Sequence, residues 1–207
     1  MAHKKSNPKS IIFIHEGYTE IEFYNKIFDI YLPKNNVRMY KYNLKGIGNN
    51  LNRKVKNKLD WFLSEKAKNH EKEIYVFCAF DREGTREIEP LLNIDKIRKE
   101  FLSKKSRIRQ IEQIIATQDI ESWFFHDLGG IYDFLKVPSK ERNLKIHNVE
   151  KTNNKILAQL MRKHGRNYNK RGQRVKDFID SLDINLIYNN SKDLKAGIEK
   201  LIKIVNK

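Results

Sequence analysis

Two short apolar runs in this chain each break off at an acid with a glycine close behind it. The first, Ile11-Ile12-Phe13-Ile14-His15, ends in Glu16-Gly17. The second, Ile74 to Phe80, ends in Asp81-Arg82-Glu83-Gly84. Runs this short, rich in isoleucine and aromatic residues and without polar alternation, read as strands buried on both faces. Such strands belong to parallel sheets, and a parallel sheet gathers the carboxyl ends of its strands along one edge, where ligands bind. The two acidic ends are therefore expected to converge.

The intervening residues fill in the pattern. Thr19–Tyr31 places Ile21, Tyr24, Ile27, Phe28 and Tyr31 on one face of a helix, with Pro33 just past its end. Val37–Leu44 reads as a strand. Gly46 and Gly48 flank a turn, and Asn49 or Asn50 caps a helix whose core face is Leu51, Val55, Leu59, Phe62 and Leu63. A helix over Leu92–Leu102 and a strand over Ile111–Ala116 complete a β-α-β-α-β-α-β order. Beyond Gly130 the patterns are helical: Ile131–Leu135, Val149–Lys163, Gly172–Leu182 and Ser191–Val205. The expected fold class is α/β: a Rossmann-like parallel sheet with helices on both faces over residues 10–130, then a basic helical extension over 131–207 packed on it.

Charge narrows the partners. Lys and Arg number 42 against 26 Asp and Glu, a net charge of +16. Nucleic acid is the first candidate, since basic side chains gain free energy by releasing its counterions. An acidic membrane surface is second and an acidic protein third. The single cysteine, Cys78, excludes an intrachain disulfide and a Cys-rich zinc site. No stretch reads as a membrane span or a secretory leader, so a cytoplasmic location is expected.

Glu16, Asp81 and Glu83 are candidate ligands for magnesium or manganese, hard cations that take carboxylate oxygens. Asp81 and Glu83 alternate, so an extended segment points them the same way. Each acid alone also reads as a helix cap or a solvent-facing residue. Arg82, between them, is either a surface residue or a phosphate clamp. Residues 161–176 carry seven Lys or Arg and no acid, with Gly165 and Gly172 breaking the helical pattern. This reads as a loop that tracks a phosphate backbone through Lys163, Arg166, Lys170, Arg171 and Arg174, with Tyr168 stacking on a base. A solvated charged loop is the alternative.

An apolar strand, Glu-Gly, a helix and then a strand ending in Asp-x-Asp resembles the TOPRIM domain. That domain occurs in topoisomerases, DnaG-type primases, RecR, ribosomal-RNA maturation ribonucleases and OLD-family nucleases. Ile11–Gly17 and Phe80–Gly84 carry the likeness, which spans roughly residues 10–127. Glu83 stands where the pattern has its second aspartate, which leaves the number of metals open. Ala116-Thr117-Gln118-Asp119-Ile120-Glu121-Ser122-Trp123-Phe124-Phe125-His126 resembles the Glu-x-Trp segment of small stand-alone TOPRIM proteins, the RloB-like group among them. Those are often encoded beside an ATPase in anti-phage defence systems. The resemblance implies a magnesium-dependent endonuclease acting on RNA such as tRNA, or on DNA, as a defence effector controlled by an ATPase partner. It adds Glu121 to the acids at the sheet edge, where a helix N-terminal glutamate favoured by the dipole is the alternative. His126 reads either as a proton carrier or as a partly buried, satisfied histidine. Trp123, Phe124 and Phe125 read as core. A homodimer stays open. A non-catalytic nucleic-acid-binding or assembly module, and a ribosomal-RNA maturation nuclease, are the alternatives.

Overall fold

The computed structural model describes residues 9–32, 37–45, 50–67, 73–82, 92–102 and 107–206. Pro33, Gly46, Gly48, Asn49, Glu83 and Gly84 lie outside the described residues. Strands β1 (Lys9–His15), β2 (Val37–Asn43), β3 (Ile74–Asp81) and β4 (Ile108–Ala116) form a sheet of order β2-β1-β3-β4. All three pairings are parallel, with Ile12 opposite both Tyr40 and Val76.

Helix α1 (Tyr18–Tyr31) links β1 to β2. Helix α2 (Leu51–Trp61), which runs into a π-helical turn at Phe62–Lys66, leads back to β3, and α3 (Ile94–Phe101) links β3 to β4. Alternation along the strands sorts the core into two layers. Ile11, Phe13, Phe77 and Ala79 pack with Phe23, Tyr24 and Ile27 of α1. Ile12, Ile14, Val76 and Cys78 pack with Val55, Leu59 and Ile97 of α2 and α3. Burial pushes the Cys78 thiol up to about 12, so it is an inert core group.

The chain leaves β1 toward one edge of the sheet and leaves β3 toward the other, yet β1 and β3 are neighbours. Their carboxyl ends therefore part above a crevice, the position at which open parallel sheets bind ligands. The fold places Glu16 and Asp81 on its two lips.

The remaining helices are α4 (Ile120–Phe124), α5 (Leu128–Leu135), α6 (Asn154–Lys163), α7 (Gln173–Ser181), α8 (Ile184–Asn190) and α9 (Lys192–Val205). A 3-10 turn at Phe125–Asp127 joins the first two. They continue the layer begun by α1: Leu157, Phe178, Leu194 and Leu201 share a core with Phe13 and Phe77. Helix α1 is fixed to α7 by Lys26, which donates to the carbonyls of Ile179, Asp180 and Leu182 at 2.8 to 2.9 Å. A lysine at a helix C-terminus satisfies carbonyls that the helix leaves open.

Two helical expectations change. The run over Val149–Lys163 is broken: Val149–Lys151 is a 3-10 turn, Thr152 is extended, and Asn153 caps α6 by accepting from the Lys155 and Ile156 amides. Helix α8 is additional, capped by Asp183, which accepts from Leu186 N at 3.0 Å. Asn50 does hold the N-cap position of α2, but without a side-chain capping bond. No helix among the described residues is long and apolar enough to cross a membrane.

Candidate metal centre

Local chemistry fixes the turn that presents Glu16. His15, fully buried at the end of β1, donates from Nδ1 to the Gly17 carbonyl at 2.8 Å. Burial pushes its pKa down to about 4, so the ring stays neutral and the turn is held without adding charge. Gly17 is the N-cap of α1, and Glu20 sits in that helix's first turn. There the helix dipole favours a carboxylate, and its side chain folds back over Gly17. Asp81 arrives from the other lip as the last residue of β3.

Carboxylate oxygens of Glu16, Glu20 and Asp81 all lie within 4.8 Å of one another. Ligand oxygens on opposite sides of a magnesium ion are about 4 Å apart, and calcium tolerates about 5 Å. The trio is thus close to a ligating arrangement for a hard divalent cation. Glu20 and Asp81 are both buried, so water does little to screen them.

Two more acids stand beside the trio. Glu121, in the first turn of α4, is fully buried, and its Oε2 has no hydrogen-bond partner among the described residues. Asp119 caps α4 by accepting from Ser122 N at 3.1 Å, and its other oxygen accepts from Asn154 N at 2.7 Å. It ties the sheet edge to α6. Burial, then Glu121 and Glu16, push the Glu20 pKa up to about 7 against the opposing bond to its own amide. Burial and the neighbouring Glu20, Glu121, Asp119 and Glu16 raise Asp81 well above the carboxylate range. Burial and Glu121 lift Asp119 to about 6. Desolvated like charges resist ionising together, and a divalent cation offsets that repulsion. Spacing, burial and crowding all fit such a cation.

The basic segment expected to track phosphates has its middle pinned to these acids. Tyr168 donates its hydroxyl to Glu121 Oε1 at 2.7 Å, and Lys170 Nζ lies 3.1 Å from the same oxygen. Burial pulls the Lys170 pKa down, but Glu121, Asp81 and Glu20 outweigh it and leave the ammonium firmly charged. Arg171 lies over the Tyr18 ring, 5.0 Å from its centroid. The Tyr168 ring stands edge-on to Phe178, with 6.2 Å between centroids.

Other expected site residues fall apart from the cluster. His126 lines a separate cleft with Ser122, Glu150 and Lys192, where burial lowers its pKa and Glu150 partly opposes the shift. Lys163 ends α6 and lines another hollow with Tyr132 and Leu144. Arg166 rests on the Phe134 ring and lines a different cavity, which Arg174 also lines from the first turn of α7. Arg82 follows β3, with its amide donating to the Ala116 carbonyl. Trp123, Phe124 and Phe125 are core. Sequence reasoning missed Glu20 as a member of the cluster. It lies four residues beyond Glu16, across Gly17, Tyr18 and Thr19, in the first turn of α1.

No family model matches the chain, and no curated protein matches it. Among solved structures, the chain is similar to the C-terminal region of the Burkholderia pseudomallei OLD protein. The identity is 16% and the TM-score 0.41, over 96% of this chain and 97% of that one.

Proposed function

We propose that this protein is a divalent-metal-dependent nuclease, with magnesium or manganese held by Glu16, Glu20 and Asp81 and with Glu121 beside them. One observation carries the reading: three carboxylates converge within 4.8 Å at the crevice between β1 and β3. A net charge of +16 makes a polyanion the natural substrate. When bound, the cation supplies a Lewis acid that activates water and neutralises charge on the leaving oxygen. Lys170 offers the scissile phosphate a fixed positive charge at the edge of the cluster. His15 and Gly17 hold the turn that aims Glu16, and Asp119 holds α4 in place.

The Glu-x-Trp likeness extends the proposal to an effector restrained by an ATPase partner until infection releases it. In that case the protein expressed without its partner is toxic to the host. The direct test incubates purified protein with total RNA and plasmid DNA side by side, in magnesium, manganese or EDTA. The expected result is cleavage of one substrate, lost in EDTA and in Glu16→Gln. Cleavage that survives Glu16→Gln removes the assignment.

A further inference from the structure

A cavity of about 350 Å³ is lined in part by Tyr168, whose hydroxyl bonds to Glu121. Its size falls in the range of about 300–1,000 Å³ typical of small-ligand pockets. We propose that it binds one unpaired nucleotide of the substrate strand, base against the aromatic floor and phosphate toward the guanidinium groups.

The chemistry of the walls supports this assignment. Phe134 and Phe178 pack edge to face, 5.2 Å between centroids, and the Tyr168 ring meets Phe178 in the same way. Phe134 and Tyr168, both half-buried, line an apolar, π-rich surface over the buried Phe178, and such a surface accepts the face of a base. Arg166 lies over the Phe134 ring, its guanidinium carbon 4.6 Å from the centroid, and adds a planar cation. Arg174 makes no ion pair or hydrogen bond among the described residues and is exposed at the mouth. The side-chain amides of Asn167 and Asn169 are equally uncommitted. Each carries donors and an acceptor, the complement of a base edge. An aromatic floor, two guanidinium groups and two free amides match a base joined to a phosphate better than a sugar or a lipid tail.

Tyr168 links this pocket to the metal centre. Its ring is a wall of the cavity while its hydroxyl is bonded to Glu121. A base seated here sets its own strand across the acids. A base inside a duplex cannot enter, so the substrate is single-stranded or looped. As an account of substrate choice this rests on the nuclease reading, but binding is testable without metal or cleavage.

The test titrates metal-free protein in EDTA with the adenosine, guanosine, cytidine and uridine 5′-monophosphates, with ribose 5-phosphate, and with tetranucleotides of each base. At least one monophosphate saturates a single site, and ribose 5-phosphate binds at least about tenfold more weakly, for want of a stacked base. Asn169→Ala and Arg174→Ala, both at exposed positions, each weaken binding, whereas Glu16→Gln leaves it unchanged. The matching tetranucleotide binds more tightly than its monomer. Ribose 5-phosphate binding as tightly as the monophosphates, no binding of any of them, or indifference to both substitutions overturns the pocket. A free monophosphate that outbinds its tetranucleotide overturns the strand assignment. Mononucleotide binding without cleavage removes the nuclease reading and keeps the pocket; cleavage without mononucleotide binding does the reverse.

Discussion

At Gly17 the backbone is extended, with φ −135° and ψ −167°, so other residues can adopt it. What glycine provides there is room for the Glu20 carboxylate: a Cβ would lie 2.8 Å from Glu20 Oε2. Gly17→Ala pushes that carboxylate, the end of a flexible side chain, away from Glu16 and Asp81. The expected outcome is a folded protein whose affinity for manganese drops by about tenfold or more, read by calorimetry. The loss of stability is about 1 kcal/mol, the cost of alanine at an N-cap. Residue identities explain how far this site could be read from sequence. Glu16 and Asp81 were legible because strand ends in a parallel sheet converge whatever the rest of the chain does. Glu20 was hidden, since an acid in a helix's first turn already has a reason to be there. The bond from Tyr168 to Glu121 was not legible, because nothing local connects two residues 47 apart in the chain.

Helix α9 on β4 shows how one element closes the molecule. Gly197 lets the helix settle on the strand, where a Cβ would stand 2.5 Å from Ile114 Cγ1. On an open helix surface, glycine to alanine gains about 1 kcal/mol. Here overpacking costs about 1–3 kcal/mol, so Gly197→Ala is expected to lower the melting temperature. In the Gly197→Ala background, Ile114→Ala then costs less than it does alone. The same contact carries a charge pair. Burial pushes up the pKa of Glu112 on β4, but bonds from Lys200 of α9 and Gln110, with Arg98 nearby, outweigh it and hold the group below the usual range. A carboxyl with a lowered native pKa binds fewer protons folded than unfolded. Its contribution is therefore full above the unfolded value, about 4.3, and fades as pH falls through the native one. Lys200→Met should melt lower than wild type at pH 7, and the gap should shrink as pH drops below about 4. A gap that does not change with pH would mean that Lys200 acts by packing alone. Helix α9 was legible from its apolar spacing, whereas its seat on β4 depends on a tertiary contact at Gly197 that periodicity does not encode. Helix α8 escaped notice because seven residues carry too little periodicity to stand out.

Across the whole molecule, the sheet and the helices after residue 130 share one core, which is why the basic segment can reach the acids. Phe13, Phe77 and Ile114 on the strands meet Phe178, Leu194 and Leu201 from the later helices. That layer holds α6 and α7 at the two ends of the segment carrying Tyr168 and Lys170, so a loop that reads in sequence as tracking a phosphate backbone lies against the acidic cluster. The parallel sheet was legible from four apolar runs in the right order; the path of this segment was not, because it depends on how the later helices pack. If the acids form one cation site, manganese binding shows it most directly. Calorimetric titration of wild type, Asp81→Asn and Glu20→Gln, each shown by thermal melting to be folded, should give saturable binding to wild type and a loss of at least about tenfold in each variant. Wild type that binds no manganese, or Glu20→Gln that binds it as tightly as wild type, would contradict the account.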